Sequence, residues 1–297
     1  MTRLLACLTA ALCLLAGVAP GQTPTASAVP SAAVLQPAGS LPLPDGPAQA
    51  WVLADMDTGT VLAARDEHGR FAPASTIKIL LAMVVLDELA LDATTVADEA
   101  DTRVECNCAG VTPGMTYSTR QLLEALLLVS GNDAANTLAT MLGGRDAAVA
   151  KMNAKAAALG ATGTRAGSPS GIDGPGIDIW STPHDLAVLF RSAMAYPVFA
   201  QITAQPTAVF PTRNGDTVLV NQDELLHRYP GAFGGKTGYT DLARKTFVAG
   251  ASRNGRHLVV ALMYGLVKEG GPTYWDQAAA LLDWGFALGP NPGVSRL

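Results

Sequence analysis

The sequence predicts an α+β fold in which an antiparallel sheet is flanked by helices, and three observations carry that prediction. Hairpin signals stand near both ends of the folded part, helical patterns fill its middle, and an amphipathic helical pattern closes it. With 297 residues, 49% of them hydrophobic, the chain has material for a sizeable core. A net charge of -5 and the lack of any Lys/Arg run argue against nucleic acid as a partner.

In chain order, Arg3 precedes an uncharged run from Leu4 to Ala19 and then Pro20 and Gly21, which reads as a secretory signal. Ala26-Ser27-Ala28 offers a small-x-small cleavage site. Residues 1–28 are therefore expected to be removed and the protein to work outside the cytoplasm, secreted or associated with the cell wall. Leu4-Leu5-Ala6-Cys7 looks like a lipoprotein box, but the apolar run lies after the cysteine, so lipidation is not expected. Left uncleaved, the signal would supply only about 16 apolar residues, short of the roughly 20 that span a bilayer. Residues 29–47, rich in Pro, Ala and Ser without periodicity, are expected to be a disordered linker.

The folded domain is expected over 48–288, followed by a short tail over 289–297. Trp51-Val52-Leu53-Ala54 and Thr60-Val61-Leu62-Ala63 flank Asp55-Met56-Asp57-Thr58-Gly59, a hairpin signal. It leads into Pro73-Ala74-Ser75-Thr76 and a run from Ile77 to Leu86 that is apolar apart from Lys78, the pattern of a helix buried on nearly every side. Ser118-Thr119-Arg120-Gln121 is a capping box opening a second apolar helix, which Gly131 is expected to stop. Helices follow over 133–142 and 145–159, then a surface loop over 160–178, then a helix capped by Thr182 with Pro183 at its first position. Asn214-Gly215 and Asn254-Gly255 sit between apolar runs as tight hairpin turns, and 274–288 is the closing helix.

Chemistry concentrates in three places. Ser75 and Lys78 share one helix face, and a desolvated amine beside a second cation would lose its proton and be able to take one from the hydroxyl. Taken alone, a lysine in a first helical turn more often snorkels to water. Ser130-Gly131-Asn132 presents a hydroxyl and an amide on a turn, or is no more than a helix cap. In Gly234-Gly235-Lys236-Thr237-Gly238-Tyr239-Thr240, the glycines either let a ligand approach a strand, with Lys236 and Thr237 facing it, or make a simple turn. Once the signal with Cys7 and Cys13 is gone, Cys106 and Cys108 remain and suggest one disulfide in an oxidising compartment. A ring closed over one residue is strained, so free thiols or an intermolecular bond are the alternatives. Two thiols and four scattered histidines, His68, His184, His227 and His257, give no metal site.

Ser75-x-x-Lys78, Ser130-Gly131-Asn132 and Lys236-Thr237-Gly238, in that order, resemble the motif set of penicillin-binding proteins and class A β-lactamases. The stretches Leu127-Leu128-Val129, Ser181-Thr182-Pro183-His184-Asp185, Tyr229-Pro230-Gly231 and Leu281-Leu282-Asp283-Trp284-Gly285 extend the similarity to the low-molecular-mass, serine-type D-alanyl-D-alanine carboxypeptidases. That resemblance implies a β-lactamase/transpeptidase-like fold, with the site between an all-helical subregion and the sheet edge. It implies that Ser75 attacks the bond between the two D-alanines of a peptidoglycan pentapeptide stem, Lys78 takes its proton, and Ser130 passes a proton to the leaving amine beside Lys236. It further implies that Asn132 orients the donor, that Thr237 binds its carboxylate, and that the backbone N–H groups of Ser75 and Tyr239 form the oxyanion hole. No cofactor is implied, and β-lactams would acylate Ser75 as covalent inhibitors.

Two departures bear on these expectations. Relatives often carry a further β domain and a membrane-binding helix, whereas only 289–297 follows the closing helix, so no membrane attachment after the signal is expected. Many also carry an arginine before the last helix to help hold the substrate carboxylate. Here Lys268 and Tyr274 lie near that place, and Arg213 is expected to be a surface charge at a hairpin tip rather than a substitute. Among rivals, a class A β-lactamase needs a glutamate after the second motif, and none occurs between Glu124 and Glu224. A non-catalytic β-lactam sensor could lose any reactive group, yet all are present, and the absence of Gly-x-Ser-x-Gly argues against a histidine-based serine hydrolase.

Overall fold

The structure, a computed structural model, describes residues 33–297 except 106, 267–268 and 289–292. It opens with β1 (Val34–Leu35), β2 (Ala48–Asp55) and β3 (Thr60–Arg65), then a 3-10 turn (Ala74–Ile77) that runs into α1 (Lys78–Glu88). Next come β4 (Thr94–Val96), α2 (Glu99–Thr102), β5 (Thr116–Ser118), α3 (Thr119–Leu128), α4 (Asn132–Met141) and α5 (Arg145–Ala158). After a long loop follow α6 (Pro183–Ala193), α7 (Pro197–Thr203), β6 (Thr207–Thr212), β7 (Gly215–Val220), α8 (Glu224–Arg228), β8 (Ala232–Thr240), β9 (Arg244–Arg253), β10 (Arg256–Gly265), α9 (Tyr274–Ala287) and β11 (Ser295–Arg296).

The main sheet runs β1-β3-β2-β10-β9-β8, with β11 also on β3, and its pairs are antiparallel. Both Asn-Gly turns form hairpins as expected, but β6–β7 stands as a separate two-stranded sheet. Alternation along β2 divides the core. Val52 and Ala54 face the helices with Val259, Ala261 and the buried side of α1, while Trp51 and Leu53 face α9 through Trp275, Leu281 and Leu282. Because α1 is apolar nearly all round, every residue from Lys78 to Val85 is buried. The Ser118 capping box is present, and Thr182 caps α6 with Pro183 behind it.

Three local expectations come out differently. In the stretch expected as a linker, Val34–Leu35 pairs with β3 and the Leu41 carbonyl accepts the Trp284 indole N–H, contacts made across long sequence distances that composition does not reveal. The expected tail includes β11, likewise on β3. Gly131 does not supply the left-handed turn after α3; Ser130 does, with φ 62°, while Gly131 has φ −55°. Gly131 is needed for space instead, since a Cβ there would lie 2.8 Å from Asp133 Oδ1 and 3.0 Å from Ala109 Cβ. The expected signal peptide lies outside the described residues, as does Cys106, whereas Cys108 is disulfide-bonded. Among the described residues no single helix is long and apolar enough to cross a membrane.

Candidate active site

A cleft of about 370 Å³ opens between the end of β8 and the helical region. Ser75, Ser130, Asn132, Thr237 and Tyr239 line it, so the three sequence motifs converge on one place. The 3-10 turn brings Ser75 to the cleft and points Lys78 under it, with Ala74 before the serine held at φ 48°. The Lys78 amine lies 2.7 Å from each of Ser75 Oγ, Asn132 Oδ1 and the Ser170 carbonyl, and 3.5 Å from Ser130 Oγ.

Two of those directions are fixed. The Ser170 carbonyl can only accept, and Asn132 must present its oxygen, because its Nδ2 donates to the Glu105 carbonyl at 2.7 Å. Two amine N–H groups are thereby committed, and the third direction faces Ser75 Oγ. Burial, and next the charge of Lys236, drive the Lys78 amine well below its usual value of 10.5, against an opposing effect of Asp133. A neutral amine in this setting keeps both fixed bonds and turns its lone pair to the serine hydroxyl, which is the arrangement of a general base and a nucleophile.

Lys236 is also buried, donates to the Thr237 carbonyl at 2.9 Å, and is pushed down to about 7 by its burial, with Asp223 acting the other way. Asp223 in turn is raised to about 6 by burial, its Oδ1 capping α8 through the N–H groups of Leu225 and Leu226. Three of the glycines in this strand serve the protein's own packing, contrary to the expectation that they admit a ligand. A Cβ at Gly234 would strike Thr203, one at Gly235 would strike Val248, Ala249 and Asp223, and one at Gly238 would lie 2.9 Å from the Ser75 nitrogen. Gly238 is thus what lets β8 lie against the nucleophile's amide.

Several contributors escaped sequence reasoning. Asp133 is buried and accepts from the N–H groups of Ala109, Gly110 and Val111, fastening residues 109–111 beside the cleft, while Asn132 N–H bonds the Asn107 carbonyl. Ser170 contributes only a carbonyl, which no side-chain motif signals. Lys245, on β9 opposite Tyr239, lines the cleft. Of the groups considered for the carboxylate, Tyr274 lines the cleft, Arg213 is exposed and donates to the Pro113 carbonyl, and Lys268 lies outside the described residues.

Comparison with known proteins agrees with this geometry. The D-alanyl-D-alanine carboxypeptidase model, Peptidase S11, matches residues 38–265. The chain is 69% identical to D-alanyl-D-alanine carboxypeptidase DacB2 of Mycobacterium tuberculosis, over 89% of this chain and 90% of that one. The fold resembles the crystal structure of a D-alanyl-D-alanine carboxypeptidase from M. tuberculosis H37Rv, with TM-score 0.87 and 69% identity, covering 89% of this chain and all of that one. It also resembles the Streptomyces K15 DD-transpeptidase, with TM-score 0.77 and 30% identity over 83% of this chain and all of that one. Family match, identity and fold lead to the same place: the chain belongs to the peptidase S11 family of D-alanyl-D-alanine carboxypeptidases, serine hydrolases with a penicillin-binding fold.

Proposed function

We propose that the protein removes the terminal D-alanine from peptidoglycan pentapeptide stems through an acyl-enzyme on Ser75. Ser75 Oγ attacks the carbonyl between the two D-alanines while its proton passes to neutral Lys78. The C–N bond breaks, and Ser130, 3.5 Å from the amine, hands a proton to the departing D-alanine nitrogen. Lys236 supplies positive charge beside that relay. The N–H groups of Ser75 and Tyr239 hold the developing oxyanion, and the second N–H of Asn132 Nδ2 orients the donor. Thr237 meets the terminal carboxylate. Water then splits the ester and returns the serine hydroxyl. The observation that carries this reading is the Lys78 amine, 2.7 Å from Ser75 Oγ with its other two directions occupied by fixed acceptors.

β-Lactams enter the same chemistry and stop in it. Ring opening leaves the cleaved nitrogen tethered over the ester, and the lack of a glutamate between Glu124 and Glu224 leaves no class A type base for deacylation. The proposed location is extracytoplasmic, with residues 1–28 as signal, because that is where such stems are found. Mass spectrometry after penicillin treatment should show stoichiometric addition to the peptide bearing Ser75, alongside steady D-alanine release from a pentapeptide. Ser75→Ala should be inert in both assays. Penicillin hydrolysis as fast as peptide turnover, or no D-alanine release, would make the assignment wrong. The likeness to a DD-transpeptidase favours one second reading, an amine acceptor in place of water, which added glycine or D-amino acid would expose as a new peptide product.

A further inference from the structure

A carboxypeptidase must tell a free C-terminus from a continuing chain, and a fixed cation near the leaving residue is the direct way to do so. The two lysines of the motifs are poorly placed for this. Both are buried, with Lys78 committed to Ser75, Asn132 and Ser170, and Lys236 bonded to the Thr237 carbonyl. Lys245 is different. Thr237 pairs with Phe247 and Tyr239 with Lys245, so by alternation Thr237, Tyr239 and Lys245 lie on one face of the sheet. All three line the cleft.

The surroundings of Lys245 hold its charge in place without neutralising it. Its amine sits 4.6 Å from the centre of the Tyr239 ring, a cation–π contact that attracts the ammonium and leaves its N–H groups for a further partner. Lys151 and Lys155 each have a carboxylate within ion-pair distance, but among the described residues Lys245 has none. Asp241, the acid also lining this part of the cleft, accepts the Tyr239 hydroxyl at 2.9 Å. A half-buried lysine with no carboxylate in reach among the described residues, on the same sheet face and in the same cleft as a threonine hydroxyl, makes a carboxylate receptor.

We propose that Lys245, together with the Thr237 hydroxyl, binds the terminal carboxylate of the peptide and so sets the requirement for a free C-terminus. This rests on the reading of the cleft as a D-alanyl-D-alanine carboxypeptidase site. The contact exists in ground and transition states alike, so its loss should raise KM more than it lowers kcat.

The test compares diacetyl-lysyl-D-alanyl-D-alanine with its C-terminal carboxamide, using wild type, Lys245→Gln and Lys245→Arg. Lys245→Gln should lose about 10- to 100-fold in kcat/KM for the acid, the range of a hydrogen bond to a charged group, and stay within about threefold of wild type on the amide. Lys245→Arg should keep most of the preference for the acid. Equal losses on both compounds would show a merely structural role and overturn the proposal, as would no loss on either. Wild type that cleaves neither compound would overturn the carboxypeptidase reading itself, and this inference with it.

Discussion

Replacing Gly238 by alanine tests the proposed oxyanion hole through a single methyl group. The added Cβ would lie 2.9 Å from the Ser75 nitrogen, where ordinary contact begins at 3.4 Å, so β8 must withdraw from the 3-10 turn by about 0.5 Å. It would also lie 2.3 Å from the Thr246 hydroxyl, which is buried and donates to the Pro73 carbonyl at 2.8 Å, so that side chain cannot turn away without losing a buried bond. Both strains are relieved by the same movement, which separates the N–H groups of Ser75 and Tyr239. Complete loss of one oxyanion donor costs about 10²–10³ in kcat. Gly238→Ala should therefore lose about 100-fold in kcat for D-alanine release and slow penicillin acylation similarly, while overpacking takes about 1–3 kcal/mol from stability. Urea unfolding run beside the kinetics separates the two effects. A folded variant with kcat within threefold of wild type would refute the reasoning.

Two further substitutions probe the groups around the motifs. Asp133→Asn puts an amide where four backbone N–H groups now converge, two on each carboxylate oxygen, so two lose their acceptor, and urea unfolding should show a loss of about 3 kcal/mol. In the proposed mechanism acylation needs Lys78 neutral and Lys236 charged, so its rate should rise with pH as Lys78 deprotonates and fall as pH passes about 7, where Lys236 loses its proton. Asp223 opposes that loss, so Asp223→Asn should move the falling limb of the kcat/KM profile to lower pH, and an unmoved limb would show that its carboxylate does not act on Lys236.

The parts of this protein that could be read from sequence are those fixed by neighbours in the chain. Asn214-Gly215 and Asn254-Gly255 specify their hairpins locally, and the Ser118 box caps its own helix. Ser75 and Lys78 meet because a helical turn makes them meet. What sequence could not provide are the partners brought in from afar. The Ser170 carbonyl reaches Lys78 across a long loop, and Asp133 gathers three amides of a segment that precedes it. Lys245 enters the cleft only through the register of β9 on β8. Ser130 in the left-handed region was hidden for another reason. Local preference assigns that conformation to the adjacent glycine, and tertiary contacts at Gly131 overrule it.

The main sheet treats its two edges in opposite ways. Along β3 the outer row of peptide groups is closed by two short pieces laid end to end, β1 against Ala64 and Arg65 and β11 against Thr60 and Val61. At the other edge β8 pairs with β9 and, among the described residues, with no other strand. An open edge is ordinarily an invitation to aggregation, and proteins shorten, charge or cover it. Here the cleft of about 370 Å³ lies along the end of that edge, between β8 and the helical region. Under the proposed function that cleft would take a lone stem peptide as one more strand beside the nucleophile, and its walls would hinder the edge of another protein.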